Sequence, residues 1–297
     1  MTDQCSTEWV DEYVPWLKKS AVAYLNIDVG IAGTIPDFSA TPDLHALTTS
    51  IAEKIVWPHG EHKTLYDVWE EKTGEIGALG AQSDYTAFVH RAGVAAIDVG
   101  TTRAPDDPIY HTHSNYDSFH WMTNFADPGF VMHKAMGQYL TLMLYRLADD
   151  ATLPLEPANY GPEMRAYFKE LEQVVASTNA TAMIHFTPLS DAITTFETSA
   201  AHFDTLRGPA SSDTSGLLDK LNSKARDFSR AFINEGGLPD REFYQHLIFA
   251  PGIDTGYAPV TFPGIAEQVV AGEFEVAGDF VRRSAKAVLA AAQILDS

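Results

Sequence analysis

Between Ile109 and Met122 the chain reads IYHTHSNYDSFHWM, with two histidines one residue apart, His111 and His113, ahead of Asn115, Asp117 and a run of aromatics. An imidazole on a loop after a strand is a good zinc ligand, and a carboxylate at the end of another strand is a suitable partner for it. Such a carboxylate stands at Asp28, where the apolar run AVAYLNID, Ala21 to Asp28, comes to its end. Asp28 and His113 are therefore a sensible pair of metal ligands. A lone histidine among aromatics serves equally well as a packed, hydrogen-bonded side chain, and spacing leaves both readings open. The other histidine-rich stretch, His59-Gly60-Glu61-His62, lacks the i, i+4 histidines of HExxH and holds a glycine beside Pro58, so it reads as a solvated loop. Cys5 is the single cysteine, which rules out an internal disulfide and a thiolate zinc cage; any metal must be held by histidine and carboxylate. No glycine-rich phosphate loop and no GxSxG nucleophile elbow occurs.

The elements that must position these groups alternate in type through the first half. Trp9, Val10, Tyr13 and Trp16 fall on one side of a helix, and the strand Ala21 to Asp28 follows. A Pro- and Thr-rich loop (Thr34 to Pro42), a helix from about Asp43 to Ile55, and a long irregular stretch from His59 to Gly80 come next. SDYTAFVHRAGVAAIDVG then reads as a capped helix closed by Gly93 and an apolar strand, Val94 to Val99. A helix over Phe130 to Leu147 follows the histidine loop. Helices between short apolar strands imply an α/β layer with a mostly parallel sheet, in which ligands sit at the carboxyl ends of strands. Beyond Leu153-Pro154-Leu155-Glu156-Pro157 the periodicity is helical almost throughout. Met164 to Val175, Ile193 to Phe203, Leu217 to Phe232 and Phe280 to Ala292 each carry an apolar stripe, and loops such as RGPASSDTS join them. The expected organisation is an α/β part over residues 1–153 and an all-α helical bundle over 154–297. No carboxylate or histidine pairs recur on the apolar faces of the bundle, so it is not expected to hold a cofactor.

Forty acidic and twenty basic residues give the 297-residue chain a formal charge of -20. Its long-range field repels polyanions, which excludes nucleic acid as a ligand. MTDQCSTEWVDEYV has neither a basic n-region nor an apolar h-region, and no run approaches the ~20 apolar residues of a membrane span. The sequence as it stands thus carries no secretory signal or membrane segment and leaves the compartment open. Asn179-Ala-Thr181 fits a glycosylation sequon, which matters only in a secreted chain.

The segments STEW, AYLNID, GAQSDYTAFVHRAGVAAIDV, HSNYDSFHWM with FADP after it, and GLPDREFYQHLIFAPG followed by FPGI appear in this order from Ser6 to the last helix. In that order they resemble the C-terminal half of glutamate carboxypeptidase II and its relatives, dinuclear zinc exopeptidases with a transferrin receptor-like dimerisation domain. The resemblance implies that Asp28 is a terminal ligand of one zinc and that His113, rather than His111, is a ligand of the other. It also implies that Asp84 belongs to a substrate-side loop, that Tyr257 helps to form the substrate pocket, and that the helical half makes a homodimer and part of the active-site wall. The fully assembled family site cleaves a peptide bond with metal-activated water, as a carboxypeptidase or an aminopeptidase.

Two departures bear on what this chain does. The family's bridging aspartate and its Glu-Glu pair, one of which is the general base, lie N-terminal to STEW, and this sequence begins just after the place where that pair stands. The general base is therefore expected upstream of Met1, and no residue of this chain is expected to be catalytic. A dinuclear hydrolase needs both functions, so the chain is expected to be the C-terminal portion of a zinc exopeptidase, truncated and inactive by itself. The second departure is in the pocket. Asp98 and Gly100 occupy positions where the family's glutamate-selective member carries arginines; Ser83 stands for an asparagine, Thr112 for a tyrosine and Gly256 for a lysine. An aspartate there repels the acidic side chain that arginines clamp, so C-terminal glutamate is expected to be disfavoured. The alternative reading is a non-catalytic dimerisation and interaction protein of the transferrin receptor kind, in which Asp28 and His113 are structural.

Overall fold

The computed structural model describes residues 4–59, 63–81, 83–178, 183–210, 216–254 and 256–297. The sequon at 179–181 and residues 60–62 of the HGEH stretch lie outside them. Met1, the point upstream of which the sequence places the general base, also lies outside the described residues, so that placement is a proposal. Helix α1 (Gln4–Ser20) buries Val10 and Leu17, two turns apart, against Phe88, Ala92 and Val94. It delivers the chain into β1 (Ala23–Asn26), the edge of a three-stranded sheet ordered β1-β3-β2. The central strand β3 (Ala95–Thr102) runs parallel to β1, with Ala23 opposite Ala95 and Asn26 opposite Asp98. Against its other edge lies β2 (Ile35–Ala40), antiparallel, with Ile35 opposite Thr102 and Ala40 opposite Ile97. One of the two ladders is therefore parallel and the other antiparallel, where the sequence suggested a mostly parallel sheet.

Strand β2 corrects the expectation of a loop over Thr34 to Pro42. Pro36, Phe38 and Ala40 are buried while Asp37 is exposed, the period-two pattern of a half-buried strand in a segment whose Pro, Thr and Ser content suggests a turn. The irregular stretch from His59 to Gly80 likewise contains a helix, α3 (Leu65–Lys72). Its start is a reciprocal cap: Thr64 Oγ1 accepts from the Asp67 amide at 3.1 Å and Asp67 Oδ2 accepts from the Thr64 amide at 2.7 Å. Helix α2 (His45–Ala52) follows a 3-10 turn, Pro42–Leu44. Helix α4 (Tyr85–His90) ends where Gly93, at φ 68°, turns its amide back to the Val89 carbonyl at 3.0 Å. After the histidine loop come a single turn α5 (Phe119–Trp121), a π-helical turn (Met122–Ala126) and α6 (Val131–Asp149). The buried carboxylate of Asp127 caps α6, accepting from the amides of Met132 and His133 at 3.0 to 3.1 Å and from His133 Nδ1 at 2.7 Å.

The second half comprises α7 (Tyr160–Ser177), α8 (Thr187–Ala210), α9 (Leu217–Asp227) leading into a 3-10 turn (Phe228–Phe232), α10 (Pro263–Ala271) and α11 (Phe274–Asp296). A hairpin of β4 (Phe249–Pro251) and β5 (Pro259–Thr261) precedes α10. The four striped segments are helical as expected, but α10 and the hairpin were not anticipated. Helix α8 also continues through Arg207 to Ala210, the first part of the expected RGPASSDTS loop; residues 211–215 are not described. Helices α8 and α11 pack along their lengths, burying Phe196, Ala200 and Phe203 and Ala285, Val288 and Ala292. The α10–α11 approach is so close that a Cβ at Gly264 would lie 2.2 Å from the Phe280 ring. The main buried cluster runs from Ile31 and Phe38 to Val288 and Leu295, across the segment 153–157. There Arg207 ties α8 to the chain through bonds to the carbonyls of Leu153 and Leu155. The two parts thus share a core, and the division at 153/154 is a proposal about sequence organisation.

Candidate substrate and metal site

Asp28 lies two residues past β1, exposed to solvent at the carboxyl end of the strand. Its amide donates to Asp98 Oδ1 at 3.3 Å, and Asn26 Nδ2 donates to the same oxygen at 2.7 Å. Opposite Asp98 and Gly100 on β3 stand Ser39 and Asp37 on β2. Asp28, Val29, Asp37, Ser39, Asp98, Gly100 and Thr101 line a crevice of about 190 Å³. Gly100 has to be glycine here, since a Cβ would come within 2.9 Å of the Val29 carbonyl oxygen. Burial pushes the Asp98 carboxyl up from the usual range, against the bonds from Asn26 and the Asp28 amide; the charges of Asp28 and Asp37 push it further up. Asp37 and Ser39 belong to this crevice and were missed in the sequence, because the segment holding them was read as a loop.

The histidine loop is built on aromatic contacts. The His111 ring meets Tyr116 at 5.9 Å and Trp121 at 5.6 Å, and Ser118 Oγ accepts from the Trp121 amide at 3.2 Å. His111 is thus the packed histidine of the pair. His113 sits exposed at φ 57° next to the exposed Thr112. Tyr110 donates to Asp117 Oδ2 at 3.3 Å. Partial burial pushes the Tyr110 phenol up, as do the charges of Asp117 and Asp28.

Ser83 is buried and opens α4, its carbonyl accepting from the Thr86 hydroxyl at 2.6 Å. Asp84 accepts from Ser6 Oγ at 2.7 Å, tying this loop to α1. Tyr24 stacks on Phe88 at 4.0 Å, and its phenol is pushed up first by burial and then by the charges of Asp84 and Asp98. Tyr257 is 64% exposed on the loop between β4 and β5, and its carbonyl accepts from the Ala81 amide at 2.9 Å. Gly80 is required beneath it, since a Cβ there would lie 1.9 Å from the Tyr257 oxygen. Behind this contact two buried imidazoles, His90 and His246, meet edge-on at 6.1 Å. Burial lowers both, that of His90 to about 4, so His90 is neutral at pH 7 and donates from Nε2 to the Gly80 carbonyl at 2.7 Å.

Asp28 and Asp98 are thus brought together, and Ser83, Asp84 and Tyr257 form a second group around residues 80–84. His113 and Thr112 stand on the adjoining loop without a described contact to Asp28. Among the described residues, no three of His, Cys, Asp and Glu come together in a group that could hold a metal ion. A zinc ion takes about four protein or water ligands, so Asp28 and His113 alone do not fit a zinc centre, and still less a dinuclear one.

Residues 184–296 match the family described as the transferrin receptor-like dimerisation domain. Over 298 aligned residues the chain is 47% identical to a "Probable glutamate carboxypeptidase" of Arthroderma benhamiae, covering 98% of this chain and 41% of that protein. The chain belongs to the glutamate carboxypeptidase-like family. It is also 30% identical to the mouse "Aminopeptidase NAALADL1" over 88% of this chain and 37% of the relative. A fission-yeast protein named "Inactive zinc metalloprotease C354.09c" shares 25% identity over 95% of this chain and 36% of its own length. The chain therefore spans about two fifths of the length of the curated relatives it matches. Among the described residues, no helix is long and apolar enough to cross a membrane.

Proposed function

We propose that this chain is the part of a glutamate carboxypeptidase-like zinc exopeptidase that carries two metal ligands, much of the substrate pocket and the self-association domain. The observation that carries the reading is the 47% identity to a protein named as a glutamate carboxypeptidase across 98% of the chain. The siting of Asp28 just past the carboxyl end of β1 supports it. Asp28 and His113 each contribute to one of two zinc sites, whose other ligands and general base come from the portion of the relatives that this chain does not span, upstream of the position of Met1. Ser83, Asp84, Asp98, Thr112 and Tyr257 wall the pocket, and the helical half joins two copies. The crevice beside Asp98 gathers three carboxylates, Asp28, Asp37 and Asp98, so an acidic substrate side chain is repelled there. By itself the chain does not hydrolyse peptides.

The test is a pair of assays against N-acetylated dipeptides with acidic, neutral and basic C-terminal residues. The purified chain is expected to be inactive. A hybrid that joins it to the N-terminal portion of the fungal relative is expected to cleave, to disfavour glutamate, and to lose activity in Asp28→Ala and His113→Ala. Activity in the chain alone, or a hybrid that keeps full activity after both substitutions, contradicts the reading.

A second reading, a non-catalytic interaction protein, is favoured by the similarity to a relative named inactive. A folded, dimeric, zinc-free chain whose hybrid is also inert supports that reading instead.

A further inference from the structure

Helix α1 carries a feature that neither its packing nor the pocket uses. Trp9, Tyr13 and Trp16 form a three-ring cluster on its outer side, with centroids 5.0 Å apart for Trp9–Tyr13 and 6.5 Å for each ring with Trp16. Trp16 stands at 90° to Trp9 and 78° to Tyr13, so the rings present faces in different directions. They remain 43%, 40% and 57% exposed, although Trp9 is backed by Phe88 at 6.0 Å. The core contacts of α1 come from Val10 and Leu17.

Aromatic faces attract cations, tryptophan most strongly, because the ring quadrupole is negative above its plane. The electrostatics beside the rings agree. Glu8 and Glu12 are exposed, one residue before Trp9 and Tyr13 and four apart, which sets an acidic row alongside the aromatic one. Asp11 is engaged with Arg91 at 2.7 Å, and the cationic end of the helix, where Lys18 feels Glu235 and also Arg91 and Arg230, lies past the rings. The exposed Lys19 lies past Trp16 at the C-terminal end. The rings span about 10 Å of helix at ~1.5 Å per residue, room for more than one cationic side chain.

We propose that this face of α1 docks a basic peptide segment, its arginine or lysine heads seated over Tyr13 and Trp16 and held by Glu8 and Glu12. The chain's formal charge of -20 draws such a partner in, and the rings supply what the bulk field lacks, a fixed position.

The experiment titrates the purified chain into a labelled hexapeptide of alternating arginine and glycine, read by fluorescence anisotropy, with a glutamate–glycine hexapeptide as control. Saturable binding of the arginine peptide and none of the control is expected. Tyr13→Leu and Trp16→Leu keep apolar bulk but remove the π face, and each is expected to weaken binding about fivefold with the melting temperature unchanged. Glu8→Gln with Glu12→Gln is expected to weaken binding and flatten its salt dependence. No saturable binding of the arginine peptide overturns the proposal. Binding that is indifferent to both leucine substitutions also does, since the overall charge alone then accounts for it. Self-association abolished by Trp16→Leu, without peptide binding, assigns the face to a second copy and overturns it as well.

Discussion

In the helical half, Tyr160, Phe196, Phe228 and Phe232 are fully buried and meet ring to ring at 5.1 to 6.5 Å. In the segment after β3, from the histidine loop through α5 and the π-helical turn, the rings of Tyr116, Phe119 and Phe125 are 75%, 76% and 57% exposed. The same residue types thus serve two purposes. In the bundle each ring is removed from water and packs on the others of the cluster. The segment after β3 instead buries Trp121 and turns Tyr116, Phe119 and Phe125 outward, beside the exposed His113.

The largest effect expected from this contrast is in the bundle. Phe228→Ala removes a ring at the centre of the cluster and is expected to cost about 3–5 kcal/mol in denaturant unfolding. A loss under about 1 kcal/mol would mean that the bundle is not the stable part. The next concerns the seam between the two regions, where Asp43 is fully buried, receives the Thr41 hydroxyl at 2.6 Å and has its second oxygen unbonded. Burial raises its carboxyl to about 6. The folded chain thus binds a proton that the unfolded chain, titrating near 4, has released, and Asp43 makes stability fall as pH rises from about 4 to about 6. Asp43→Asn is expected to remove that slope and to raise stability at pH 7 by about 3 kcal/mol. An unchanged pH profile in chemical denaturation sinks this assignment. Smaller again is Thr64→Ala, which opens the reciprocal cap of α3 and is expected to cost ~1 kcal/mol. At the bottom of the order, Tyr116→Ser in the histidine loop is expected to change stability by less than about 0.5 kcal/mol. A loss comparable with that of Phe228→Ala would place the loop in the core and erase the contrast.

What could be read from the sequence follows the range of the forces involved. The stripes Met164 to Val175, Ile193 to Phe203 and Phe280 to Ala292 are local patterns with a 3.6-residue period, and each is a helix. The strand ending near Asp28 is legible because its apolar run is continuous. Strand β2 hides behind Pro36 and Ser39, although the alternation of Phe38 and Ala40 with Asp37 was available as a signal. Helix α3 is short, and its one sharp mark in the sequence is Thr64 followed three residues later by Asp67. Around the proposed site, Asp28 stands out as the carboxylate that ends an apolar run and Asp84 and Tyr257 only through the family resemblance, while their spatial neighbours are not legible. Asp37 reaches Asp98 only through antiparallel pairing, and Tyr257 reaches Ala81 across the whole second half of the chain. No local pattern encodes contacts of that separation.

The account rests on Asp28 and His113 being two ligands of a centre that this chain does not complete. Elemental analysis of zinc in the purified chain after dialysis, alongside Asp28→Ala and His113→Ala, tests that most directly. The account predicts well under one zinc per chain, with no difference among the three proteins. About two zinc ions per chain, lost in both variants, would contradict it and show that other residues here supply the rest of the centre.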